Sequence, residues 1–152
     1  VVDIAQETVE RLADIDNLVA IKDAPGSAVR GEQLISAAGE RMVVLSGDDS
    51  TALELMQFGG KGNISVTANV APKAMSETFS AGLRGDFDAA HKVHDVVKHL
   101  HRDLFIESSP IPVKYALHKM GMIDTGIRLP LVWLAEKHHA TIDEALIRAN
   151  LL

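Results

Sequence analysis

Two spacings of apolar residues alternate along the first half of the chain. From about Gln6 to Ile15 they recur at helical spacing, with Val9, Leu12 and Ala13 on one stripe. Asp3 stands where an N-terminal cap belongs. Leu18 to Lys22 is a short apolar run that ends in an amine, and Asp23-Ala24-Pro25-Gly26 follows it with turn chemistry. The next helix is expected from about Val29 to Ala38, closed by Gly39. Met42 to Leu45 reads as a second strand, and Ser46-Gly47-Asp48-Asp49 leads into a helix from Ser50 to about Phe58. After the tight connection Gly59-Gly60-Lys61-Gly62, Asn63 to Val66 reads as a third strand. The pattern then turns wholly helical. Helices are expected from about Pro72 to Leu83, Phe87 to Phe105, Pro112 to Met120 and Ile142 to Ala149. Gly82, Gly85, Pro110, Pro112 and Pro130 punctuate them.

Strands that alternate with helices through short loops imply an α/β fold with parallel pairing and right-handed crossovers. Three strands alone leave two bare edges and two faces to cover. A complete (β/α)8 barrel takes about 250 residues, and this chain has 152. The expected architecture is the back part of such a barrel, its last three strands, followed by a C-terminal helical appendix. Residues 1–70 would form the barrel part, and residues 71–152 the last barrel helix and the helical region.

Composition narrows the function classes. Apolar residues make up 47% of the chain and aromatics 4%, so the core is built from Ala, Val, Ile and Leu. The formal charge of −6 carries no basic footprint for nucleic acid. The absence of cysteine excludes disulfides, thiolate metal sites and a cysteine nucleophile. No apolar run reaches membrane-spanning length, and no signal peptide is visible after Val1, so a cytoplasmic protein is expected.

Lys22 is the leading candidate for chemistry. Barrel enzymes work at the carboxyl ends of their strands, and a buried amine there holds more free base and serves as a Schiff-base nucleophile. Alternation would send Lys22, Ala20 and Leu18 inward, and Val19 and Ile21 towards the outer helices. The competing reading is a lysine that snorkels into water. Gly47 closes the second strand and would let backbone approach a ligand. Asp48 and Asp49 read as acidic residues of a helix N-terminus. Gly59-Gly60-Lys61-Gly62 precedes a strand, which is the wrong order for a phosphate loop, and is taken as a turn. On one continuous helix His91, His94, His99 and His101 cannot converge on an ion and would form a solvated face. His138 and His139 are expected at the surface, and Tyr115 and Trp133 in packing.

Taken in order, these segments resemble the dihydrodipicolinate synthases. Leu18-Val19-Ala20-Ile21-Lys22-Asp23-Ala24 is similar to their Schiff-base lysine strand, and Leu45-Ser46-Gly47-Asp48-Asp49 to the next strand end. Gly62-Asn63-Ile64-Ser65-Val66-Thr67-Ala68-Asn69 resembles their last barrel strand. Ser109-Pro110-Ile111-Pro112-Val113-Lys114 resembles part of their helical region, and Leu129-Pro130 and the closing Leu151-Leu152 also fit. Sister lyases acting on sialic acid and sugar-derived keto acids share the lysine strand but match the Pro-Ile-Pro-Val-Lys segment less well.

The resemblance implies a reaction. Lys22 would capture pyruvate as an imine, and the derived enamine would add to L-aspartate-4-semialdehyde to give 4-hydroxy-tetrahydrodipicolinate. The backbone of Ile64 would help bind pyruvate and Gly47 would line the pocket, with no metal or organic cofactor. A homotetramer is implied, with no nucleic acid or membrane as partner. The family's tyrosine, threonine pair and substrate-holding arginine lie upstream of the lysine strand and have no counterpart here. The chain is therefore expected to be a back fragment that needs the N-terminal part of the barrel. Alternatively, it is a catalytically incomplete assembly piece, or it belongs to an N-acetylneuraminate lyase-like enzyme.

Overall fold

The computed structural model describes residues 4–24 and 26–152. Asp3 and Pro25, expected as a cap and a turn residue, lie outside the described residues. The chain forms two compact units, one running up to Ser65 with Ala81–Asp86 added, the other combining Val66–Ser80 with Phe87–Leu152.

The first unit holds α1 (Gln6–Ala13), β1 (Ala20–Asp23), α2 (Ala28–Ala38), β2 (Val43–Ser46) and α3 (Ala52–Gln57). Ser27 caps α2 by accepting from the Arg30 amide. Gly39 ends it with φ 59°, where a side chain would be strained. Val9 and Ala13 of α1 meet Leu34, Ala37 and Ala38 of α2 in a core that Met42, Val44 and Leu55 complete. Full burial of such a side chain contributes about 1.5–3 kcal/mol each.

Strands β1 and β2 pair in parallel, with Lys22 opposite Leu45 and Asp23 opposite Ser46. The third strand expected at 63–66 is reduced to a single parallel bridge between Ser46 and Asn63. Three backbone bonds fasten this segment to β2: Lys61 N–H to Val44 O (3.0 Å), Ser46 N–H to Gly62 O (2.9 Å) and Ile64 N–H to Ser46 O (2.8 Å). Two residues later Val66 takes helical torsions (φ −77°, ψ −44°), which ends the extended run and opens a 3₁₀ turn at Thr67–Asn69.

The second unit is helical. It contains most of α4 (Pro72–Leu83), with α5 (Phe87–Val97), α6 (Leu100–Asp103), α7 (Ile111–Lys119) and α8 (His139–Arg148). Val97, Leu100, Leu104, Ile142 and Leu146 are at most 1% exposed and form the centre of its core. The single helix expected from Phe87 to Phe105 is broken at Lys98 and His99. There His101 and Arg102 bond back three residues rather than four, to Lys98 O and His99 O. Helix α8 begins three residues before its expected start, behind a 3₁₀ turn at Glu136–His138. Among the described residues no helix is long and apolar enough to cross a membrane.

Candidate active site

Side chains of the paired strands divide cleanly by parity. Ile21, Val44 and Ser46 point to the helix side, where Val44 is 3% and Ser46 2% exposed. Ala20, Lys22 and Ala24 lie on the opposite, open side. Gly47 shares that side, as the nearest atoms to its missing Cβ are those of Lys22 and Ala24. Ile64 follows suit, 53% exposed, whereas Asn63 points the other way. The three residues named from the sequence, Lys22, Gly47 and Ile64, thus come together on one face of one unit.

Lys22 is exposed on this face. Val19, expected against the outer helices, is 68% exposed. Its carbonyl already accepts from the Val43 amide of β2 (2.9 Å), and its side chain is nevertheless open to solvent. The amine end of Lys22 lies over Gly47. A Cβ at 47 would fall 2.3 Å from Lys22 Cε and 3.1 Å from its Nζ. A side chain at this position would push the end of the lysine off its present path. At Ile64 the backbone N–H is already spent on Ser46 O, so its carbonyl is the backbone group it can offer a ligand.

Behind the open face runs a layer of polar groups. Ser46 Oγ donates to Asp48 O (2.9 Å) and accepts from Asp48 N–H (3.0 Å). The Asp48 carboxylate accepts from Ser50 N–H, Ser50 Oγ and Thr51 Oγ1, the helix-entry role expected of it. Asp49 does something the sequence did not signal. It is 2% exposed and accepts from Asn63 Nδ2 at 2.6 Å. The Gly59–Gly62 segment is a turn, as expected, with Gly60 packed on Leu55 and φ at +114° in Gly59.

Of the four histidines expected on a solvated face, His91 is exposed, whereas His94, His99 and His101 are not. His101 is 6% exposed and its Nδ1 meets Thr67 Oγ1 at 2.8 Å, while its Nε2 lies 3.1 Å from His94 Nε2. His99 Nε2 donates to Ala145 O at 2.8 Å. On one continuous helix His94 and His101 share a side but stand about two turns apart; the break at Lys98 and His99 goes with their meeting here. His138 and His139, expected at the surface, are half-buried, and His139 stacks on Tyr115 at 4.4 Å. Tyr115 is 4% exposed and donates to Asp143 Oδ1 at 3.2 Å, so it packs as expected, next to Trp133. Burial, and then the charge of Asp143, hold its phenol above the usual tyrosine range. The hydrogen bond to Asp143 raises Lys119 in turn. Among the described residues no group of three His, Cys, Asp or Glu side chains could hold a metal ion.

The sequence profile of the dihydrodipicolinate synthetase family matches residues 1–149. The chain is 84% identical over 152 residues to the 4-hydroxy-tetrahydrodipicolinate synthase of Psychrobacter arcticus, covering all of this chain and 50% of that protein. It is 52% identical over 150 residues to the enzyme of the same name from Pseudomonas aeruginosa, covering 99% of this chain and 51% of the other. Among solved structures, the chloride-inhibited dihydrodipicolinate synthase of Acinetobacter baumannii, complexed with pyruvate, superposes with a TM-score of 0.96 at 52% identity. That match covers 99% of this chain and 52% of the other. The dihydrodipicolinate synthase of Aquifex aeolicus gives a TM-score of 0.93 at 39% identity, over 98% of this chain and 51% of that one. The chain spans about half the length of the relatives it matches. Its fold is α/β, the back part of a (β/α)8 barrel followed by a helical region.

Proposed function

Because the chain belongs to the dihydrodipicolinate synthetase family, we propose that it is the lysine-bearing part of a Schiff-base lyase. The enzyme condenses pyruvate with L-aspartate-4-semialdehyde to 4-hydroxy-tetrahydrodipicolinate, on the route to diaminopimelate and lysine. One observation carries the reading: Lys22 extends over Gly47 on the open face of paired parallel strands, with Ile64 on the same face.

Lys22 Nζ attacks the keto carbon of pyruvate, and loss of water leaves a protonated imine. That imine is the electron sink, so the step needs no metal or organic cofactor. Loss of a methyl proton gives the enamine, whose carbon attacks the aldehyde of the second substrate. Cyclisation through that substrate's amino group releases Lys22. Gly47 leaves room for the amine's approach, and the Ile64 carbonyl accepts a hydrogen bond from the N–H of the protonated imine. Groups that move protons and hold the second substrate's carboxylate come from a front part of the barrel. The assembled enzyme is a homo-oligomer, a tetramer as in the family, and works in the cytoplasm without nucleic acid or membrane.

A second reading is that the chain by itself is an assembly piece without turnover. Apolar side chains bared on or beside the strands favour it: Val19 is 68%, Ile64 53% and Val43 40% exposed. Treatment of the full-length protein with pyruvate and borohydride tests the first reading and should leave a reduced pyruvyl adduct on Lys22. Full labelling of a Lys22→Ala variant would overturn it. Comparing turnover by the 152-residue chain with turnover by the full-length protein tests the second reading.

A further inference from the structure

One row of positions surrounds the Lys22 amine at the carboxyl end of the paired strands. The register sets Asp23 beside Ser46 and Ser46 beside Asn63. Gly47 N–H then donates to Asp23 O at 2.7 Å. The next residues, Ala24, Gly47 and Ile64, therefore stand level on the open side. The lysine starts one row lower, opposite Leu45, and climbs into this row. The point above Gly47 where a Cβ would stand lies 3.1 Å from Lys22 Nζ and 3.0 Å from Ala24 Cβ. The row is lopsided. Gly47 contributes no side chain, Ile64 a branched one that is 53% exposed, and Ala24 a single methyl.

A protonated imine has three bonds in one plane at nitrogen. One runs back to Lys22 Cε, and the N–H faces the Ile64 carbonyl. The third carries the keto acid's carbon away from Ile64, over Gly47 and towards Ala24. C3, the carbon that becomes the nucleophile, is bonded directly to that imine carbon. A group added at C3 meets the methyl of Ala24, because Gly47 has no side chain to meet. We infer that Ala24 is a specificity-determining residue. Its methyl limits what a 2-keto acid can carry at C3, and so favours pyruvate over its longer homologues. This rests on the function proposed above. The competing explanation is that a small residue at 24 serves only the chain's exit from β1. Such a role would weaken the reaction of every keto acid alike.

The test compares pyruvate with 2-oxobutyrate, which carries one more methyl at C3, as substrates of the full-length protein. Space for one such group changes a ratio of kcat/KM values by about 10- to 200-fold. Ala24→Gly should raise the ratio of 2-oxobutyrate to pyruvate at least about tenfold, and Ala24→Val should lower it. Ala24→Ser, close to alanine in size, should leave it within about twofold. An unmoved ratio in a folded Ala24→Gly overturns the role of Ala24. So does a shift in Ala24→Ser as large as that in Ala24→Gly, since size would then not be the property read. If Ala24→Gly does not fold, Ala24→Val decides, and equal losses for the two acids overturn the role. Failure of pyruvate and borohydride to label wild-type Lys22 overturns the function itself. A labelled wild type with unmoved ratios in the variants overturns only the role of Ala24.

Discussion

Lys22 crosses directly over Gly47, so closely that a Cβ at 47 would sit 2.3 Å from Lys22 Cε and 3.0 Å from Ala24 Cβ. No real Cβ tolerates the first distance. Gly47→Ala must therefore displace the lysine chain by about an ångström while leaving its charge intact. A misplacement of that size costs on the order of 100-fold in rate. Pre-steady-state trapping of the pyruvyl imine with borohydride should show that loss, with the melting temperature little changed. Wild-type trapping rates in Gly47→Ala would remove the steric argument.

The nucleophile itself is tested by substitution. Lys22→Arg keeps the positive charge and much of the bulk but holds no free base at ordinary pH. It should abolish both the borohydride-stable adduct and turnover in the full-length protein, as judged by intact mass and product formation.

Tyr115 is the chain's one tyrosine, so its ionisation can be followed alone in the ultraviolet. Its proton is held above the ordinary value of 10.0 by burial first and by Asp143 second. Lys119 is likewise raised from 10.5. Both folded values exceed the unfolded ones, so their contribution to stability is complete below about pH 10. It is lost as pH climbs through the folded values, because the unfolded chain releases its protons first. Alkaline titration should give a phenolate midpoint above 10. Asp143→Asn should lower it without returning it to the ordinary value, since burial remains. A midpoint at the free-tyrosine value would contradict the buried placement.

Ile142 is fully buried among Leu100, Leu104 and Leu146 in the helical unit. Ile142→Ala should cost about 2–5 kcal/mol, the range for removing a large aliphatic side chain from a packed core. Denaturant unfolding followed by far-ultraviolet circular dichroism measures it. A loss below about 1 kcal/mol would mean the site collapses around the smaller residue.

The 152-residue chain alone bares Val19, Val43 and Ile64 on or beside its strands. Such strand surfaces pair with whatever chain they meet. Sedimentation velocity should show self-association at micromolar concentration. A monodisperse monomer would show that the surface tolerates water.

Helices and paired strands were legible because each rests on a local pattern. The stripe Val9, Leu12, Ala13 marked α1, and the run ending in Lys22 marked β1, one residue short of its true end at Asp23. Gly47 was legible from its place after a strand. What escaped depends on residues far apart in sequence. The Asp49–Asn63 contact joins positions 14 apart, and neither residue type signals the other. The third strand was overread because β propensity at 63–66 says nothing about Val66 turning helical. The histidines were misplaced for a sharper reason. Projection at about 100° per residue already puts His94 and His101 on one side; it assumes an unbroken rise between them, and the break at Lys98–His99 removes that assumption.

The parity of the strands has a consequence for anyone who would redesign this chain. Even-numbered Lys22 and Ile64, with odd-numbered Leu45 and Gly47, belong to the open side. Asp23, Ser46 and Asn63 belong to the side that holds the scaffold. Open face and anchorage thus alternate residue by residue within the same short stretches of chain. Widening the row level with the Lys22 backbone should begin at Leu45, because the neighbours on either side, Val44 and Ser46, are committed elsewhere. A single-residue insertion would exchange the two sets at a stroke, so length is under stricter constraint here than composition.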